Sequence, residues 1–102
     1  MRITFHGEQR LRKRAGLPKQ AVRHNAELAL EYGLDHRQAR GALQRYLAML
    51  YNRYNGTGNN IRVYNDFVYV FHNEILITVL NVPPEHRKAA MRQQKRRRED
   101  EL

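Results

Sequence analysis

The sequence predicts an α+β fold: N-terminal helices, then a three-stranded or four-stranded antiparallel meander, then a basic C-terminal tail. Three observations carry that expectation. Apolar residues recur at helical spacing as far as Tyr54; from Ile61 to Val82 the chain turns to short runs of β-branched and aromatic residues; and after Glu85 apolar residues almost vanish. Periodicity of three to four residues marks an amphipathic helix, and branched or aromatic runs between polar turns mark strands.

Taken in order, Phe5 to Ala15 holds good helix formers, and Gly16-Leu17-Pro18 supplies a stop. Lys19 to Tyr32 sets Ala21, Val22, Ala26, Ala29 and Leu30 on one helical face, and Gly33 stands where a left-handed C-terminal cap belongs. A third helix is expected over Asp35 to Tyr54, opened by Asp35 with Gln38 as a capping-box pair. Its stripe of Ala39, Leu43, Tyr46, Leu47, Leu50 and Tyr54 suits one face of a sheet, and Arg37, Arg40, Gln44 and Arg45 line the other side.

Asn55 to Asn60 reads as an exposed loop. Strands are expected at Ile61–Tyr64, Phe67–Phe71 and Ile75–Val82, joined at Asn65-Asp66 and His72-Asn73-Glu74. Turns this short force antiparallel neighbours, and the third helix is the natural cover for one face. Pro83-Pro84 ends the last strand. Residues 1–84 therefore read as a single α+β domain, and 85–102 as a partly helical or disordered tail, because Ala89, Ala90 and Met91 give it little to bury.

At 102 residues without cysteine, stability must come from one packed core, and a reducing compartment fits. No apolar run approaches the roughly 20 residues of a membrane span, so the expectation is a soluble intracellular protein without membrane contact. The net charge is +9 and Arg far outnumbers Lys; a guanidinium grips phosphate at two points where an ammonium offers one charge. Residues 1–20 carry six cations and one anion, and 85–102 seven and four, whereas 61–84 carry one and two. Positive charge at both ends points to a polyanionic partner, RNA before DNA.

The most specific local pattern is His6-x3-Arg10-x3-Arg14, three residues one helical turn apart on one face. A histidine titrating near neutrality beside two guanidiniums could move a proton and neutralise a phosphate whose charge grows, as RNA cleavage by 2′-hydroxyl attack requires; the same spacing also describes an ordinary solvated basic face. The remaining cationic and stacking candidates for nucleic-acid binding are Arg12, Lys13, Arg62, Tyr64 and Tyr69 in the domain, with Arg87, Lys88, Arg92, Lys95, Arg96, Arg97 and Arg98 in the tail. Tyr64 and Tyr69 could stack bases or fill the core. No pair of histidines stands at metal-ligand spacing, His24 and His36 read as surface or capping residues, and the glycine loop lacks the Lys-Ser/Thr ending of a phosphate loop. No metal and no cofactor is expected.

His6-Gly-Glu-Gln-Arg10-Leu-Arg-Lys-Arg14-Ala-Gly16-Leu-Pro, followed much later by Ile75-Leu-Ile-Thr78-Val-Leu, resembles the small nucleases of the barnase, EndoU, colicin and RelE-like superfamily, in which helices precede the sheet. The resemblance spans residues 3–82 in element order, although the helix over Asp35–Tyr54 is longer than minimal members carry. It implies His6 as general base or acid, Arg10 and Arg14 as phosphate clamps, Thr78 as a donor to the scissile phosphate, and metal-independent RNA cleavage. It also implies the cytoplasm of a bacterial or phage-infected cell, with an antitoxin as a further partner class. The alternative function class is a non-catalytic, anti-CRISPR-like phage protein that docks on a nucleoprotein effector or its RNA. A DNA-binding regulator ranks third, because no helix pair has the tight turn of a helix-turn-helix.

Overall fold

Asn65 and Asn73 adopt φ of 55° and 54°, a left-handed backbone that Asn tolerates better than most residues, and at each the chain reverses between two strands. The computed structural model describes residues 2–3, 13, 16, 19–55 and 57–100. In chain order these form β1 (Arg2–Ile3), α1 (Lys19–Tyr32), β2 (Leu34–Asp35), α2 (Gly41–Arg53), β3 (Asn60–Tyr64), β4 (Phe67–His72), β5 (Ile75–Asn81), a 3-10 turn (Pro84–His86) and α3 (Arg87–Asp100). The α+β class and the meander are as the sequence predicts. Strand ends differ by a residue: Asn60 opens β3, His72 pairs with Ile75 inside the sheet, and Val82 lies past the end of β5 but is buried.

The sheet order is β1-β5-β4-β3-β2. Four strands are antiparallel neighbours, and β1 joins β5 in parallel at Arg2↔Ile75 and Ile3↔Leu76. Opposite Val70 and Phe71 the register slips so that Phe71 meets Leu76 and Val70 meets Thr78, which leaves Ile77 as the extra residue of a bulge.

Alternation along the strands divides the core into two layers. Ile61, Val63, Val68 and Val70 pack with Leu43, Leu47 and Leu50 of α2; Tyr69, Phe71, Leu76 and Val79 pack with Ala26 and Ala29 of α1. Both faces of the sheet are thus covered, where only one cover was expected. The alanines of α1 explain this: small side chains let a helix lie close over bulky strand residues.

Three local expectations need correction. The helix expected from Asp35 begins at Gly41. The capping pair does form, since the Asp35 amide donates to Gln38 Oε1 (3.0 Å) and the Arg37 amide donates to Asp35 Oδ1 (2.9 Å), but it closes a single turn. Arg40 is then extended and Gly41 has φ +64°, so α2 starts afresh. Gly33 is not a left-handed cap: a Cβ there would stand 2.3 Å from the Ala29 carbonyl oxygen and 2.9 Å from Arg62 Cβ, so close approach requires the glycine. Finally, the loop after α2 is only partly exposed. Gly58 is buried, a Cβ there meeting Val70 at 2.6 Å, and Asn59 and Asn73 exchange hydrogen bonds of 3.0 and 2.7 Å.

The C-terminal segment is a helix, not a tail free of the domain. Tyr46 stacks on His86 with ring centroids 5.1 Å apart, which fixes the turn leading into α3, and Ala90 is 1% exposed within the core layer of α2. Polar side chains do the rest. Gln93 accepts from the Arg40 amide (2.8 Å) and donates to the Arg40 carbonyl (3.1 Å); Gln94 does the same at Asn65 (2.9 and 3.1 Å). Two side-chain amides thus substitute for the backbone partners that these exposed peptide units would otherwise find in water. Among the described residues no helix is long and apolar enough to cross a membrane.

Candidate nucleic-acid interface

The cationic surface is organised around one carboxylate. Asp35, 4% exposed, sits opposite Arg62 in the β2–β3 pair. Arg37 donates to both its oxygens, from Nε at 3.3 Å and Nη2 at 3.0 Å; Arg62 Nη2 lies 3.8 Å from Oδ2 and His36 Nδ1 3.1 Å from Oδ1. Burial alone would raise the Asp35 pKa, but the hydrogen bonds from the Arg37 side chain and amide, with the charges of His36 and Arg37, hold it below the ordinary carboxylate value. His36 stacks on Tyr51 at 4.7 Å, and its Nδ1, despite its nearness to Asp35, makes no hydrogen bond among the described residues. Burial lowers the His36 pKa; Asp35 opposes that, and Arg37 and Arg62 add to it.

A second convergence lies at the C-terminal end of α1. Arg62 Nη1 donates to the Gly33 carbonyl at 3.0 Å, tying β3 to the end of α1, while its Nε donates to Asn60 Oδ1 at 3.0 Å. Arg97 Nη1 donates to the Tyr32 and Gly33 carbonyls. Cations at the carbonyl end of a helix are favoured by the macrodipole. Burial lowers the Arg62 pKa, and of its charged neighbours Asp35 raises it while Arg97 and Arg37 lower it further. More positive charge is gathered here than one carboxylate can offset.

Between the Leu34–Gln44 segment and α3 runs a groove of about 620 Å³. Its lining includes Arg37, Arg40, Arg96 and Arg97, with Gln38, Gln44 and Gln93 and the start of α2 at Gly41; no carboxylate lines it among the described residues. The first turn of α2 carries no acidic residue, and its cap position, Arg40, makes no side-chain cap bond. On the outward side of α3, Lys88, Arg92 and Lys95 follow one another at helical spacing and are all exposed. No ion pair among the described residues engages Lys88, Arg92, Lys95 or Arg96.

The sequence-predicted residues are placed unevenly. His6, Arg10, Arg14 and Arg12 lie outside the described residues; Lys13 is helical and exposed. Thr78 is 4% exposed, opposite Val70 on the sheet face that packs against α2. Tyr69 is 2% exposed and stacks on Phe71 inside the core, so it is no platform for bases; burial drives its pKa up. Tyr64 is half-buried against the same layer. Arg62 is engaged internally. Of the C-terminal cations, Arg87, Lys88, Arg92, Lys95, Arg96 and Arg98 are exposed, and Arg97 is turned inward.

Arg37, Arg40, Gln44 and Gln93 line the groove, although helical periodicity places the first three on a solvated side and singles out nothing at Gln93. The signal for the first three is the Arg- and Gln-rich stretch Arg37 to Gln44, interrupted by Gly41. No group of three His, Cys, Asp or Glu side chains among the described residues is placed to hold a metal ion. Comparison with protein-family models, with curated proteins and with solved structures finds no match to this chain.

Proposed function

We propose that the protein binds RNA through α3 and the arginine-lined groove beside it. The observation that carries this reading is the outward row Lys88, Arg92 and Lys95, which continues at Arg96 into a groove holding three further guanidiniums and no carboxylate among the described residues. A convex row of cations one turn apart follows a phosphate backbone without reading sequence, and guanidiniums favour phosphate by their paired donors. RNA is the preferred polyanion because the His6, Arg10 and Arg14 pattern resembles that of RNA-cleaving proteins, and metal-independent cleavage is the activity this pattern would add to binding.

Equilibrium binding to a labelled single-stranded RNA and to single-stranded and duplex DNA of matching sequence tests the reading. RNA is expected to bind more tightly than either DNA at equal salt; equal or tighter binding of duplex DNA would replace RNA by DNA as the partner. Incubating the same RNA with the wild type and with His6→Ala tests cleavage separately: intact RNA in both leaves a binding protein only.

A further inference from the structure

The two cationic surfaces of α3 differ in shape, and the difference has a chemical meaning. The outward row is convex and open, suited to the continuous backbone of a strand. The groove is concave, about 620 Å³, within the size range of sites that enclose a small molecule or a single nucleotide. Arg37 and Arg40 reach it from one side and Arg96 and Arg97 from the other. The nearby carboxylate, Asp35, is already engaged by Arg37 and flanked by His36 and Arg62, so the groove's guanidiniums exceed the negative charge available. An internal phosphodiester brings one negative charge and two free oxygens. A phosphomonoester brings about −1.5 to −2 at neutral pH and three acceptor oxygens, which suits a groove lined by arginines on both walls.

We propose that this groove is a receptor for a phosphomonoester, the phosphate on the terminal nucleotide of an RNA strand, held between Arg37 and Arg40 on one wall and Arg96 on the other. The inference rests on the RNA-binding reading for the identity of the strand, while the phosphomonoester chemistry is shared with a free nucleotide. Arg97 sets the wall rather than reaching out, since its Nη1 donates to the Tyr32 and Gly33 carbonyls, and Arg37, which gives Nε and Nη2 to Asp35, meets the phosphate with its remaining N–H groups. Gln38 and Gln44, also in the lining, offer amides to the nucleoside adjoining the phosphate. Strand and groove then divide the work: the outward row follows the backbone and the groove reads its end.

The test uses the full chain and one RNA sequence in three forms, carrying a 5′-phosphate, a 3′-phosphate or hydroxyls at both ends, with adenosine monophosphate and inorganic phosphate as competitors. One phosphorylated form is expected to bind about tenfold more tightly than the hydroxyl form, the gain of one additional charge-assisted contact. Arg40→Ala with Arg96→Ala is expected to abolish that preference, as is Arg37→Gln made separately; Arg45→Ala, on the exposed side of α2, leaves it intact. Thermal melts of each variant show that the fold is kept. Tight binding of the mononucleotide with none of the RNA supports the receptor and assigns it to free nucleotides, at the expense of the RNA reading. Equal binding of all three RNA forms without competition by phosphate overturns the receptor and leaves RNA binding standing. A preference that survives both groove variants also overturns it, because the phosphate would then be read elsewhere.

Discussion

Asp35 and Arg62 face each other across the β2–β3 register with Oδ2 3.8 Å from Nη2, and the same carboxylate holds Arg37 at 3.0 Å. One buried acid therefore fixes a two-residue edge strand, the turn after it and one wall of the groove. Asp35→Asn keeps the volume but removes the charge that offsets Arg62. It is expected to cost about 2 kcal/mol, the scale for losing charge-assisted bonds at a largely buried site. Urea denaturation measures it; a loss below about 0.5 kcal/mol would be an ordinary surface effect and would remove Asp35 from this role.

His36 predicts a pH dependence. Its pKa in the folded state is lowered, chiefly by burial, so the unfolded chain binds the proton more readily. The stability tied to neutral His36 is complete above the unfolded value of about 6.5 and is lost as pH falls below it towards the folded value. Asp35, also lowered, adds a second loss only at more acid pH, below the ordinary carboxylate value. His36→Phe keeps a ring against Tyr51 and cannot titrate, so its melting temperature should fall less than that of the wild type between pH 7 and pH 5. Parallel curves for the two proteins would show that His36 does not carry the effect.

Two glycines separate crowding from backbone conformation. Gly33→Ala drives a methyl to 2.3 Å from the Ala29 carbonyl oxygen and should cost about 2 to 3 kcal/mol, with the chain shifting where α1 meets β3. At Gly41 a methyl meets nothing within 4 Å, and only φ of +64° opposes it, so Gly41→Ala should cost about 1 kcal/mol. Denaturant midpoints for the two variants check the ranking, and the reverse order would contradict it.

Gln93 and Gln94 make a prediction about α3. Each completes a pair of hydrogen bonds with an exposed backbone unit, at Arg40 and at Asn65, and each pair should contribute about 1 kcal/mol. With only Ala89 and Ala90 to bury, the helix depends on them. The double variant Gln93→Ala, Gln94→Ala should speed hydrogen exchange of α3 amides well before the sheet opens. Exchange unchanged in α3 would mean that Ala90 and Arg97 hold the helix unaided.

Periodicity made the meander and α1 legible, because Asn65 and Asn73 punctuate strands whose branched residues have few other uses. Other features escaped for physical reasons. β1 and β2 have two residues each, too few for a period to exist. Asp35 and Gln38 form the expected capping pair, yet nothing in that pattern tells one turn from the start of a long helix; Gly41 decides it. The docking of α3 depends on Gln93, Gln94 and Arg97 reaching Arg40, Asn65 and Tyr32, partners 29 to 65 positions away, so a helix that buries mainly alanine reads as a solvated tail. Tyr69, a candidate by residue type, and Thr78, a candidate by the resemblance, are inward because β4 and β5 are covered on both faces.

RNA affinity of the full chain, measured at about 50 and 200 mM salt beside the triple variant Lys88→Ala, Arg92→Ala, Lys95→Ala, tests the central claim most directly. Each phosphate neutralised on a single strand contributes about −0.7 to the slope of log affinity against log salt. The wild type should bind with a steep negative slope, and the variant's slope should be shallower by about 2 while its melting temperature stays near that of the wild type. No RNA binding at the lower salt, or an unchanged slope in the variant, would contradict RNA recognition through α3.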